Sequence, residues 1–496
     1  MNRAAAAEDD VWVGLDLGTQ SVRALAVTGA GAVVGTGTHK LESRREGPRH
    51  EQDPAQWWKA TTAASREALR EVAPRNVRGV AVDATSGTIL LVDQQGTPLT
   101  AGLMYDDTRA AGEVERVNQA GDAVWRDLGY QRMQPAWALP KLLWLLREHP
   151  DLVPTARLAH QNDFINRRLV GRDVPTDLSN ALKTGADLIH ESWPEQVLDA
   201  LGVPASVLPA LVRPGTPIGT VCPEAAEASG IPAGTPVISG VTDGCAAQLG
   251  AGALSVGSWN SVVGTTLVLK GVTRELIRDP LGVVYSHKAP NGDWLPGGAS
   301  STGAGATSRD FPGADLDDLN RRASRHEPAG ALAYPLISTG ERFPFVAPQA
   351  QGFLLGTPAD DADRFAAVLQ GVAFIERLCF DYLDLLGAPL DGDLILTGGA
   401  TKSAYWCQLR ADVLGRPVTL PDNAEPALGM AVLAASPGRE AADVAAEMVR
   451  IRDVVEPRAG SASRFDDPYT RFVDELEKRG WLQPEAADHA RERTAR

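Results

Sequence analysis

The run Val237-Ile238-Ser239-Gly240-Val241-Thr242-Asp243-Gly244-Cys245 ends a short β-rich stretch in one acid, and Ala246-Ala247-Gln248-Leu249-Gly250 restarts with helical character. Further on, Val262-Val263-Gly264-Thr265-Thr266-Leu267-Val268-Leu269 reads as a strand, a Gly-Thr turn and a strand. A carboxylate at a strand end can take a proton from a hydroxyl, and a glycine turn can aim N–H groups at phosphate oxygens. Together they suit phosphoryl transfer. Alone, an Asp in that place is equally a helix cap. The N-terminal stretch Val11 to Val27 supplies a second such turn: a hairpin with Asp16, Gly18, Thr19 and Ser21 at its tip. Gly18 permits close approach of a ligand, Thr19 and Ser21 can donate to phosphate, and Asp16 can hold Mg²⁺ through water. The recurrence of strand, Gly-Thr turn and strand predicts an internal duplication, with two phosphate hairpins facing one cleft.

Other segments offer weaker chemistry. Val77 to Asp93 reads as two strands around a small polar turn that includes Ser86-Gly87. Asp106, Asp107 and Arg109 follow Leu103-Met104-Tyr105, where acid and guanidinium could orient a polyol or simply form a surface ion pair. Gly297 to Gly305 is a small, flexible turn that a ligand or backbone can approach. Leu394-Ile395-Leu396-Thr397 ends in Gly398-Gly399 and precedes a helix from Ala404 to Leu414, an arrangement that presents helix N–H groups to a nucleotide. It is not a Walker A loop, because Thr401 stands before Lys402-Ser403, and no dinucleotide glycine motif follows a strand. His160 reads as structural.

The positioning elements follow from pattern. Asp53-Pro54 caps a helix, residues 110–210 are mostly helical, Ala362 to Leu386 has helical periodicity, and Glu425 to Ala431 starts a small-faced helix that can pack closely. From about Pro437 the chain reads as charged, helical and peripheral, with a solvated basic tail from His489 to Arg496. At 496 residues, 44% hydrophobic and 22% charged, it is an ordinary globular chain of more than one domain. A net charge of −15 argues against a nucleic-acid partner. Four scattered cysteines without a CxxC argue against disulfides and thiolate metals. Met1 to Asp10 lacks a signal peptide's apolar region, and no run of about 18 apolar residues suggests a membrane span. The expected place is the cytoplasm.

Together these residues resemble the FGGY family of carbohydrate kinases. The likeness runs from about Val11 to Ser436 and is carried by Asp16-Leu17-Gly18-Thr19, by Tyr105 to Arg109 as the counterpart of W-N-D-x-R, and by Thr242-Asp243-Gly244, Gly264-Thr265-Thr266 and Thr397-Gly398-Gly399-Ala400. It implies an α/β fold of two actin-like (ribonuclease H-like) domains with an active-site cleft between them. Residues 1–250 would bind sugar and 251–496 nucleotide, with a peripheral helical tail from about 437. Asp243 would be the catalytic base. Sugar contacts would come from Asp16, Ser86, Asp107, Arg109 and Asp243. Nucleotide contacts would come from Gly18, Thr19, Gln20, Ser21, Gly264, Thr265, Thr266, Gly398, Gly399, Ala400 and Ser403, and Mg²⁺ would sit at Asp16 and Asp243. The resemblance implies ATP, Mg²⁺ and a ketopentose as ligands, in a monomer or homodimer. Within the family the chain is most similar to D-ribulose kinases and xylulokinase-like members, through Gly282 to His287 and Trp294 to Ser300. Ser86-Gly87 stands where xylulokinases carry Met-His, Tyr105 replaces the Trp, and Asp106 the Asn. D-ribulose is therefore the expected substrate, with D-xylulose or another ketose or polyol as the alternative. An actin-like ATPase without a sugar is the distant rival.

Overall fold

The structure, a computed structural model, describes residues 9–495. Residues 1–8 and 496, which include most of the stretch read as lacking a signal peptide and the last residue of the basic tail, lie outside it. The chain forms two compact units. The first takes the chain up to Leu254 together with His287–Leu295 and Asn423–Arg450. The second takes Ser255–Ser286, Pro296–Asp422 and Ile451–Arg496. This spatial grouping differs from a single cut at residue 250, since two later segments join the first unit.

In the first unit the apolar run Val11–Leu17 is a strand that turns tightly into Ser21–Thr28, with Leu17 opposite Val22. Val33–Lys40 extends the hairpin antiparallel. On its other side Val11–Leu17 lies parallel to Val77–Ala84, which lies parallel to Pro236–Ile238. Pro217–Thr220 closes that edge antiparallel. The central strands are buried on both faces, hence their near-continuous apolar sequence. Ile89–Val92, read with Val77–Ala84 as one strand pair, instead joins a separate five-stranded sheet.

The second unit repeats the order and the directions. Trp259–Val263 and Leu267–Gly271 form the hairpin, and residues 297–299 pair antiparallel with Leu267–Gly271. Trp259–Val263 runs parallel to Leu394–Thr397, which is parallel to Val418–Pro421. Ile451–Val455 closes the edge antiparallel. The expected duplication is thus present as a matching strand order. Against this sheet packs Asp361–Leu385, a helix with buried residues around its whole circumference.

The C-terminal stretch is not peripheral. Phe465, Tyr469, Phe472, Val473 and Leu476, on helix Ser461–Lys478, are fully buried in the core of the second unit. Their three- and four-residue spacing is that of an amphipathic core helix, masked in the sequence by a charged opposite face. The basic tail is tied down too: His489 bonds Asp384 at 2.9 Å and Arg493 donates to Asp381 at 2.8 Å.

Candidate active site

The acids gather where parallel strands end. Asp16 and Asp83 are register partners on adjacent strands, and Ala84 bridges Thr242 one step beyond. Asp243 follows as the first residue of helix Asp243–Ala251. Carboxyl ends of parallel strands are where open α/β sheets bind ligands. The helix bearing Asp243 is held by glycines. A Cβ on Gly429 would sit 2.0 Å from Ala246 O, and one on Gly250 would sit 2.6 Å from Glu425 O. A Cβ on Gly14 would sit 1.7 Å from Ala427 O, so strand Val11–Leu17 touches the small-faced helix Pro426–Ala434 directly. Ser179 accepts the Thr242 N–H at 3.1 Å and so pins the strand end from the helical side.

Electrostatics separate the acids. Burial pushes Asp83 well above the usual carboxylate range, and the Asp16 and Asp243 carboxylates push it further. Neither Asp83 oxygen receives a donor from another described group. A proton on Asp83, given to Asp16, satisfies both side chains. Asp16 is itself pushed up to about 6 by burial and by Asp243, against the pull of Asp83 and Arg23. Asp243 stays partly accessible and accepts the Gly244 N–H at 2.8 Å. Asp83 was not among the residues expected from sequence.

Tyr105 is the other residue that the sequence undervalued. It is 40% exposed, and its hydroxyl is raised by burial and by Asp106, feels Asp243, and hydrogen-bonds Thr19. The Gly18-Thr19-Gln20-Ser21 turn closes by Gly18 N–H donating to Ser21 O at 3.1 Å. Thr19 O accepts from Gln52 at 2.7 Å, and Gln20 is exposed.

Asp107 and Arg109, expected to contact sugar, are engaged elsewhere. Asp107 is fully buried, accepting from His50 N at 2.7 Å and from Arg109 Nη2 at 2.6 Å. Arg109 also pairs with Glu51 at 2.6 Å and lies over the Trp144 ring. The pair is not a surface ion pair; it fixes the loop that carries Tyr105 and Asp106. Gly87 is closely packed, since a Cβ there would meet Lys183 Cδ at 3.2 Å. Lys183 donates to Ser86 O at 3.3 Å, and the fully buried Lys141 donates to Gly87 O at 2.6 Å. Burial pushes Lys141 down to about 7, against the Asp107 carboxylate. Ser86 Oγ is buried without a partner among the described residues. His160, as expected, is structural, bonded to Asp163 and Thr184 at 2.8 Å each.

In the second unit a cavity of about 400 Å³ is lined by Gly264, Thr265, Gly399, Ala400, Lys402 and Ser403, and by Leu316, Asn320, Phe365 and Trp406. Its size suits a nucleoside. Two groups in its turns bond within the protein. The Gly264 N–H donates to Thr266 O at 3.1 Å within the turn, and Ser403 Oγ takes the Trp406 N–H at 3.1 Å, capping helix Ala404–Leu414 itself. Thr266 is not among the lining residues, and neither is Gly398, whose φ of +86° and contact with Val263 O make it a structural turn. A Cβ on Gly303 would sit 2.5 Å from Thr265 O, so backbone is what approaches the glycine-rich stretch before residue 305. Gly264 and Gly399 differ: a Cβ on Gly264 would meet nothing nearer than 4.0 Å, and one on Gly399 nothing at all. Gly264→Val therefore adds bulk to the cavity wall without straining the fold. Overpacking costs about 1–3 kcal/mol, so the apparent KM for ATP is expected to rise roughly 5- to 150-fold. Steady-state kinetics on a variant with native circular dichroism test this, and an unchanged KM removes the turn from the nucleotide site.

Two family models match the chain in succession: the N-terminal domain of the FGGY family of carbohydrate kinases over residues 11–250, and the C-terminal domain over residues 260–437. The chain belongs to the FGGY family of carbohydrate kinases. It is 32% identical over 464 residues to the xylulose kinase of Streptomyces coelicolor, covering 89% of this chain and 91% of that one. It is 28% identical over 444 residues to the xylulose kinase of Klebsiella pneumoniae, covering 86% and 89%. The crystal structure of a xyloylose kinase from Brucella ovis superposes with a TM-score of 0.86 at 26% identity, over 95% of this chain and 99% of that one. An FGGY kinase is an ATP-dependent sugar phosphotransferase with two ribonuclease H-like domains, and the two matching sheets are those domains.

Among the described residues no cluster of three or more His, Cys, Asp or Glu is arranged to hold a metal ion by itself. Mg²⁺ keeps most of its waters and takes one or two carboxylates plus phosphate oxygens. Asp16 and Asp243 offer such hard oxygen donors. No helix among the described residues is long and apolar enough to cross a membrane.

Proposed function

We propose that this FGGY kinase transfers the γ-phosphate of ATP to a hydroxyl of a ketopentose, with Asp243 as the base. The observation that carries the reading is the placement of Asp243 at the start of its helix, partly accessible, beside two acids that burial raises above the usual carboxylate range. The sugar hydroxyl is a poor nucleophile at neutral pH. Asp243 accepts its proton as the bond to phosphorus forms, which contributes typically 10²–10⁴-fold in rate. Asp83 holds its proton toward Asp16 and so orients the Asp16 carboxylate. Tyr105 offers a half-exposed aromatic face for the sugar. Gly264, Thr265, Gly399 and Ala400 contact the nucleotide from the cavity wall. Mg²⁺, when bound at Asp16 and Asp243 with the phosphates, neutralises their charge.

D-xylulose is the first ketopentose to consider, because the named relatives are xylulose kinases. D-ribulose is the second reading, and the unpartnered Ser86 Oγ favours it. The two sugars differ only at C3, and a hydroxyl matched there gains about 0.5–1.5 kcal/mol, or roughly 2- to 13-fold in kcat/KM. The test is kcat/KM for D-ribulose, D-xylulose, L-ribulose, L-xylulose, glycerol, ribitol and D-arabitol, repeated with Ser86→Ala. The expected result is D-xylulose first, with Ser86→Ala changing the two epimers alike. D-ribulose first, with a gap that Ser86→Ala narrows, installs the second reading. Turnover of no ketopentose overturns both.

A further inference from the structure

One buried carboxylate of the second unit is held by neutral donors. Glu341 is 3% exposed and, among the described residues, takes its hydrogen bonds from no cation. Its Oε1 accepts the Ser301 N–H at 2.6 Å and the Arg342 N–H at 2.9 Å. Its Oε2 accepts from Ser300 Oγ at 2.9 Å, from the Tyr334 hydroxyl at 2.8 Å and from Thr302 Oγ1 at 3.3 Å. Burial and the Glu341 carboxylate push the Tyr334 hydroxyl well above its ordinary range, so it stays a donor. An acid is almost never this buried unless a cation pairs with it, and burying its charge is costly unless hydrogen bonds replace water. What this carboxylate holds therefore calls for an explanation.

Three of its donors belong to Ser300, Ser301 and Thr302, the start of a strap that runs on to Gly305. The strap is bonded along its length to the Gly264 turn. Ser300 N–H donates to Leu267 O at 2.9 Å, and Leu267 N–H donates to Thr302 O at 2.7 Å. Ala304 N–H then donates to Gly264 O at 2.9 Å, and Gly305 N–H to Thr265 O at 3.0 Å. A trans peptide sends its C=O and the following N–H in opposite directions. By taking the carbonyls of Gly264 and Thr265, the strap turns the N–H groups of Thr265 and Thr266 away from itself. Gly264, Thr265, Ala304 and Gly305 all line the cavity, and Glu341 does not.

We propose that Glu341 is the positioning residue of the nucleotide's phosphate turn: it grips the strap, and the strap sets the direction in which the turn offers its N–H groups. The proposal rests on the reading of this cavity as the nucleotide site. Glu341 acts through Ser300, Ser301 and Thr302 and touches no ligand itself. Its effect should fall on the phosphates, which meet the turn, and spare the nucleoside.

The test is the dissociation constants of adenosine, ADP and ATP, measured by competition, in the wild type, Glu341→Leu and Glu341→Gln. Glu341→Leu is expected to weaken ADP and ATP by roughly 10-fold or more and adenosine by less than about 2-fold. The misplaced γ-phosphate should also lower kcat by roughly 10- to 100-fold, with the KM of the sugar unchanged. Glu341→Gln should restore ADP and ATP binding, since its amide oxygen can take both N–H groups and its NH₂ can donate to the hydroxyls. The double variant Ser300→Ala, Thr302→Val leaves Glu341 its other three donors and loosens only the strap. It should show the same split between adenosine and ATP, about 3- to 10-fold, and it decides the matter if the leucine variant does not fold. Equal loss for all three ligands, or no loss in a folded strap or leucine variant, overturns the proposal. Failure of the cavity reading looks different: Gly264→Val would then leave ATP binding unchanged as well. If Gly264→Val weakens ATP while Glu341→Leu and the double variant do not, the cavity stands and Glu341 is not what positions its turn.

Discussion

Asp243→Asn is expected to lower kcat by two orders of magnitude or more while leaving ATP affinity near the wild-type value. The substitution keeps the size of the side chain and its bond from the Gly244 N–H, but an amide cannot take the sugar's proton. A positioned base is worth roughly 10²–10⁴-fold, and the loss should appear in kcat and kcat/KM together. The neighbours sharpen the expectation. Burial raises Asp16 and Asp83, and the Asp243 charge raises both further, so neither is a ready substitute. Removing the Asp243 charge also removes one cause of their upward shifts, so Asp16 should ionise at lower pH in the variant. Wild-type turnover in a folded Asp243→Asn enzyme would assign the base elsewhere.

Arg410→Met is expected to destabilise the second unit by about 3–5 kcal/mol, because it strands a buried carboxylate. Arg410 and Glu376 are both fully buried and pair at 2.6 Å, and Arg410 also donates to Ser261 at 2.8 Å. Ser261 in turn donates to Glu376 at 2.5 Å. The three residues tie together the strand that ends at the Gly264 turn, the central helix Asp361–Leu385, and the helix that starts after Ser403. The nucleotide KM should therefore rise with the loss of stability. The double variant Arg410→Met, Glu376→Leu should recover most of the stability, since it leaves no uncompensated charge. Denaturant unfolding followed by tryptophan fluorescence reads both. Coincident transitions for wild type and Arg410→Met would mean that the pair contributes nothing.

What the sequence disclosed follows from how local each signal is. The two hairpins, the Asp53 cap, the strand Leu394–Thr397 and the helix Ala404–Leu414 all announce themselves within about ten residues, through apolar runs and turn formers. Asp243 was legible because its strand, its turn and its helix are contiguous. Asp83 was not, because its meaning lies in its register with Asp16, 67 positions earlier in the numbering. Arg109 and Asp107 read as ligands or as a surface pair, yet they are buried by Glu51 and Trp144 from distant segments. Lys141 sits in an otherwise apolar stretch, and nothing near it names Gly87 and Met104 as its acceptors. The C-terminal helices hide their core face because charged residues dominate their composition. Phe465, Tyr469, Phe472 and Leu476 keep the period of a core face under a charged surface.

The most direct measurement is phosphate transfer itself: ADP and sugar phosphate measured together, from ATP with D-xylulose, with D-ribulose, and with no sugar. An FGGY kinase built on Asp243 predicts one sugar phosphate for each ADP with a ketopentose present, and only slow ADP release without one. ADP release at the same rate with or without any sugar, and no phosphorylated product, would contradict it and leave an ATPase in its place.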